Sequence, residues 1–291
     1  MTELKAFLRE TLQEWSRDNC LALGAALAYY TIFSIAPLLI LVIAIAGLVL
    51  GRSEAQSEIV ARVQAEAGAS IAEMVHSMIE QLASPKSGLI ATATSLVTIV
   101  FGASGVFGQL QTALNQIWSA PPRYDSGWRN MLRRRASAFG MILVIGFLLL
   151  LSVVASAVLS GLSGWLDAHL PVASRFLPVV NFGVSLGLAT LLFAAVLKVL
   201  PDARIEWRDV WFGAAVTALL FTVGKALIGI YLGRAGVGSV YGAAGSLVVM
   251  LLWIYYSAQI FFLGAELTEV YSRRYGTRHG RQRGEGLKPE A

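Results

Sequence analysis

The stretch FTVGKALIGIYLG, residues 221–233, decides how this chain is read, because Lys225 is the only charge in an apolar run from Val210 to Tyr231. As a helix rising 1.5 Å per residue, that run is about 33 Å long, enough to cross a hydrocarbon core of roughly 30 Å. Wholly uncharged runs of similar length surround it: Asn19–Gly51, Ser87–Pro122, Ala136–Leu166, Phe176–Leu197 and Ala235–Ala265. The 291 residues are 56% hydrophobic and 14% charged, whereas soluble domains carry about 25% charged residues. The runs do not alternate in the ten-residue rhythm of a membrane β-barrel. Helices, which satisfy their own backbone groups in lipid, are the remaining solution. The expected fold class is therefore all-α: a polytopic membrane protein with six transmembrane helices near 22–48, 88–112, 138–160, 178–199, 210–231 and 244–265.

Lysine and arginine give the orientation. With the N-terminus inside, the inner side holds Lys5, Arg9, Arg17, Arg123, Arg129, Arg133, Arg134, Arg135, Lys198, Arg204, Arg208 and the six basic residues from Arg273 to Lys288. The outer side holds Arg52, Arg62, Lys86, Arg175 and Arg234. Cytoplasmic loops are the basic ones, so both termini are expected in the cytoplasm. Trp15, Trp118, Trp128, Trp165, Trp207 and Trp211 fall near the expected boundaries, where an amphipathic indole is favoured. The net charge of +5 fits loops facing anionic headgroups and does not call for nucleic acid. The single Cys20 permits no internal disulfide.

Three regions follow. Residues 1–18 place Leu4, Phe7, Leu8, Leu12 and Trp15 on one helical face, as in a helix lying in the membrane plane. Residues 19–271 form the six-span domain. Residues 272–291 are basic, without apolar periodicity, and are expected to lie disordered against anionic lipid. Within the second region, 53–84 repeats Ile59, Val63, Ala67, Ile71, Met74, Met78 and Leu82 at helical spacing, interleaved with glutamates. One long external amphipathic helix is expected, lying on the outer ends of the bundle or serving as a lid or docking surface. His76 on it reads as a surface histidine.

Polar residues inside the spans are the candidates for function. Ser95, Thr98, Gly102, Gly105, Gln109, Thr112 and Gln116 form one face of span two. Their small side chains suit close helix packing, and Gln109, Asn115 and Gln116 could line a polar path. In span six Tyr255, Gln259 and Glu266 share a face, with an ion pair or a place in the bundle interior open to Glu266. A lysine at mid-bilayer costs about 2.5–3.5 kcal/mol unless it snorkels or meets water, and such residues are functional hypotheses by default. About 20 Å of helix separates the level of Lys225 from Glu266, which makes a direct pair between them unexpected.

The segments ALAYYTIFSIAPLL (26–39), FGASGVFGQLQTALNQIW (101–118), LPDARIEWRDVWFGA (200–214), GKALIGIYLG (224–233) and SVYGAAGSLVVMLLWIYYSAQIFFLGAELTEVY (239–271) together resemble the YihY/virulence factor BrkB family, over nearly the whole chain. The resemblance implies a bacterial inner-membrane protein of about six spans, in a family where one lineage is connected with serum resistance and a second type of member with moving lipid A precursors or phospholipids. An older ribonuclease label in that family can be tested on the residues. Metal-dependent hydrolysis needs clustered carboxylates or histidines. The one cytoplasmic acidic group, Asp202, Glu206 and Asp209, is interleaved with Arg204, Trp207, Arg208 and Trp211 as in an interfacial helix. No His-x-x-x-His, Ser–His–Asp or phosphate-loop pattern occurs.

The expected protein is not an enzyme and needs no cofactor or metal. It moves a lipid or amphiphilic anionic envelope component. Lys225 attracts the headgroup, Gln109 and Asn115 line the path, and Tyr255, Gln259 and Glu266 complete it. Membrane lipids and anionic headgroups at the cytoplasmic face are the expected partners. The alternative is a scaffold that recruits envelope machinery through the external helix and the basic tail.

Overall fold

A computed structural model describes residues 2–83, 105–120, 177–203, 205–235 and 241–276, with 140–158 described in part. Every regular element among them is helical. The helices are α1 (Thr2–Arg17), α2 (Cys20–Leu50), α3 (Arg52–Ala67), α4 (Ala69–Ala83), α5 (105–117), α6 (Leu177–Val199), α7 (Trp207–Ala235) and α8 (Gly245–Arg274), with a 3-10 turn at Gly242–Ala244 before the last. Positions 143–148 within 140–158 are also helical.

Four of these, α2, α6, α7 and α8, are long and apolar enough to cross a membrane. Only 11–33% of their most apolar windows is buried inside the protein. In water so much exposed apolar surface would be very costly at about 25 cal/mol per Å²; in lipid it is the natural boundary. Phe33, Leu48, Phe147, Val179, Val223 and Leu227 all point outward. The chain is a multi-pass membrane protein. Most of the expected span at 88–112, part of that at 138–160, the loop 236–240 and the tail beyond Gly276 lie outside the described residues.

The amphipathic segment departs from expectation. Instead of one helix over 53–84 there are two, α3 and α4, broken at Gly68 and packed on each other. Gly68 (φ 92°) and Gly51 (φ 90°) both occupy the left-handed half of backbone space that favours glycine. The first reversal sends α3 back along α2. The second lets α4 bury Ile71, Val75 and Ile79 in a cluster with Leu39, Ile43, Val249 and Met250. The hairpin thus lies alongside α2 and α8 rather than across their ends. A straight helix could bury only one stripe there; the glycine break buries two. His76 stays exposed, 3.7 Å from Glu80.

The main core joins α2, α5, α6, α7 and α8 around the fully buried Trp118, Leu114, Leu197, Val210 and Phe262. The α7–α8 seam is built on reciprocal small residues. A methyl added at Gly213 would lie 2.6 Å from Thr268 Cβ, and one at Gly264 would lie 2.8 Å from Thr217 Cβ. Each threonine hydroxyl donates to the carbonyl four residues back on its own helix, Thr217 to Gly213 at 2.7 Å and Thr268 to Gly264 at 2.6 Å. The polar groups are therefore satisfied within each helix, and the backbones can approach.

Both ends of the described chain meet at one end of the bundle. Arg273 of α8 reaches Glu10 (2.8 Å) and Glu14 (3.1 Å) of α1, Arg274 pairs with Glu10, and Phe7 packs with Leu267 and Val270. The apolar face expected on α1 is divided. Phe7 is buried, while Leu4, Leu8 and Leu12 form an exposed row. Asn19, in the left-handed conformation that asparagine tolerates, turns the chain from α1 into α2.

Candidate functional site

Lys225 has a partner on α3. Its Nζ donates to Glu66 Oε2 at 2.8 Å, on α3. The two side chains remain 32% and 44% exposed, so the pair is accessible from outside the protein. Glu66 is the third member of a string on α3, with Arg62 one turn and Glu58 two turns earlier. Arg62 Nε donates to Glu58 Oε1 at 3.1 Å, and its Nη2 donates to the carbonyl of Ser152 at 3.1 Å. α3 therefore turns charge toward other bundle segments on either side, α7 and 140–158. Between α2 and α3 lies a cavity of about 220 Å³. Ile35, Leu39, Val42 and Ala46 wall it from α2, and Ile59 and Val63 from α3, with Glu58 and Arg62 at its edge.

The other expected path residues have different neighbours. Asn115 clamps the loop between α6 and α7: its Oδ1 accepts from the Asp202 N–H at 2.7 Å and its Nδ2 donates to Asp202 Oδ2 at 3.0 Å. Gln116 donates to the Asp18 carbonyl at 2.7 Å. Gln109 is half-buried on α5, whose Gly105 faces Ser34 and Tyr30 of α2. Ser95, Thr98 and Gly102 lie outside the described residues.

Tyr255, Gln259 and Glu266 do share one face, and it is turned to the start of α2. Gln259 Nε2 donates to the Cys20 carbonyl at 3.2 Å, and Tyr255 stands beside Gly24. Glu266, 1% exposed, accepts from the Cys20 thiol at 3.5 Å. In the antiparallel seam Gly224 lies against Tyr256 and Ile260. Ten residues separate Tyr256 from Glu266, so Lys225 and Glu266 are about 15 Å apart along the helix. The absence of a pair between them follows from that spacing. The six expected residues thus fall into separate contacts: Lys225 with α3, Asn115 with Asp202, the three of α8 with α2, and Gln109 on α5.

Of the acidic group tested against hydrolysis, Asp202 is held by Asn115 and Asp209 accepts from Ser272 at 2.6 Å. Glu206 is exposed. Among the described residues no three His, Cys, Asp or Glu side chains stand close enough to hold a metal ion.

Residues 11–286 match the family described as "Virulence factor BrkB". The chain belongs to that family. Its relatives include a UPF0761 membrane protein of Verminephrobacter eiseniae, 33% identical over 68% of this chain and 46% of the relative. One from Pseudomonas aeruginosa is 29% identical over 90% of this chain and 61% of its own length. One from Haemophilus influenzae is 26% identical over 92% and 95%. The chain spans about half to three-fifths of the first relatives it matches, and nearly all of the Haemophilus protein. No solved structure matches. BrkB family membership fits the multi-pass membrane architecture described above.

The sequence reading missed Glu58, Arg62 and Glu66. Spaced i, i+4, i+8, they look like the solvated face of a surface helix. The signal that could have found them is Gly68: a glycine inside a long amphipathic pattern is a breaker. Once the helix folds back on itself, its charged stripe has protein on both sides.

Proposed function

We propose that this BrkB family member is a six-span protein of the bacterial inner membrane, with both termini cytoplasmic, that moves a lipid or amphiphilic anionic envelope component past α3. The observation that carries this reading is the Lys225–Glu66 pair, open to the outside and beside an apolar cavity edged by Glu58 and Arg62. An amphiphile needs polar and apolar walls side by side, and α3 offers both. Lys225 is neutralised in this conformation, so an anionic headgroup would compete with Glu66 for it and loosen α3 from α7.

Topology supports the same picture. The meeting of α1 with the end of α8 requires an even number of crossings between them. The end of α5 lies at that same level, because Asn115 and Gln116 contact Asp202 and Asp18. The scaffold alternative loses much of its docking surface, since the apolar residues of α3 and α4 already pack on α2 and α8.

The experiment is a charge exchange read by lipid translocation in proteoliposomes, with abundance and folding monitored. Lys225→Met and Lys225→Glu are expected to abolish translocation. In the exchange Lys225→Glu with Glu66→Lys the pair is restored but the cation has moved to α3, and activity is expected to stay lost. Recovery in the exchange would reduce Lys225–Glu66 to a structural tie and remove the transport reading.

A further inference from the structure

A second apolar recess, away from α3, has a cation at its end. It has a volume of about 400 Å³ and lies between the 143–148 helical segment, represented by Phe147 and Leu148, and α6, represented by Leu191 and Ala195. Trp207 and Trp211 of α7 close one end, their rings 6.3 Å apart and both about half exposed. Exposed indoles in a membrane protein settle at headgroup level, so this end of the recess marks the interface and the rest extends into the acyl region.

Lys198 stands at that end. Its Nζ lies 5.5 Å above the Trp207 ring and donates to the carbonyl of Ile205. An ammonium has three donors, so a fixed cation with donors to spare sits where a phosphate would lie. Arg208, the residue after Trp207, is exposed and adds a second positive charge in the same first turn of α7. Of the neighbouring carboxylates, Asp202 and Asp209 are engaged by Asn115 and Ser272, and Glu206, next to Trp207, is exposed. The recess is within the size range of small-ligand sites.

We propose that this recess binds one anionic glycerophospholipid, an acyl chain between Phe147 and Ala195 and the phosphate against Lys198. The site needs only that the chain sit in a bilayer, so it stands apart from the transport reading.

Purified full-length protein is examined by native mass spectrometry with phosphatidylglycerol and with phosphatidylcholine of identical chains. The wild type is expected to retain phosphatidylglycerol preferentially. Lys198→Gln keeps a donor for the Ile205 carbonyl but removes the charge, and should cut that preference about fivefold, the worth of one basic residue near an anionic surface. Ala195→Trp fills the recess and should lower retention of both lipids. Because Ala195→Trp could perturb folding, the wild type is also labelled with phosphatidylglycerol carrying a diazirine in its tail. Cross-links are expected on 143–148 and 191–195. No headgroup preference, an unchanged preference in Lys198→Gln, or cross-links spread evenly around the bundle would each overturn the site.

Discussion

α7 has two kinds of neighbour. Along α8 it runs in a seam where Gly213 faces Thr268, Thr217 faces Gly264 and Gly224 faces Ile260. Toward α3 it offers a single ion pair, Lys225–Glu66, half open to the surroundings. The first contact has no slack: several backbone atoms are brought close by small residues, and none can shift alone. The second is one distance between two flexible side chains. The same helix is therefore bolted on one side and latched on the other. α3, held mainly by α2 and α4, is tied to α7 more loosely than α8 is.

The most damaging change should fall on the bolted side. Gly213→Ala drives a methyl into Thr268, and overpacking of this kind costs about 1–3 kcal/mol. It is expected to lower the thermal midpoint of the detergent-solubilised protein by several degrees. Gly213→Ala with Thr268→Gly should recover part of the loss, since the clashing atoms are then gone. A Gly213→Ala protein as stable as wild type would mean that the seam is looser than its geometry states.

The latched side should respond less, and the size of the response reports the medium around Lys225. In a wetted path, Glu66→Gln removes a partly exposed pair worth about 0–1 kcal/mol. Against lipid it would strand a lysine at a cost of about 2.5–3.5 kcal/mol. The transport reading expects the smaller figure in unfolding measurements made in bicelles. A loss near the larger one would put Lys225 in hydrocarbon and erase the contrast between bolt and latch.

How far the sequence carried the reading differs between these regions for a physical reason. Uncharged length is a local property, so α2, α6, α7 and α8 were legible from hydropathy alone. The face shared by Tyr255, Gln259 and Glu266 was legible too, because helical periodicity fixes which residues line up. What they face was not: periodicity gives a direction around one helix, and α2 is placed there by tertiary packing. Asn115 shows the same limit. Its amide suited a polar path equally well, and only the fold brings Asp202 within 2.7 Å. The largest departure came from Gly68, where one residue converts a long surface helix into a hairpin and gives Lys225 its partner.

The smallest expected effect tests a third contact, at the end where α1 meets α2 and α8. Burial, together with the Glu14 carboxylate, pushes Asp18 above the usual carboxylate range, against the opposing pull of its hydrogen bond with Glu266 and of Arg17. A carboxyl raised in the folded state contributes stability that is complete below its unfolded value, about 3.9, and is lost as pH rises through the folded value. At neutral pH Asp18 is therefore a mild liability. Asp18→Asn should be slightly more stable than wild type at pH 7.5, with the advantage shrinking as the solution is acidified toward pH 4. Thermal unfolding of both proteins across that range measures it. A gap that widens on acidification would mean that Asp18 is held as a stabilised anion, and that α1 is tied to the bundle by charge at Asp18 as well as at Arg273.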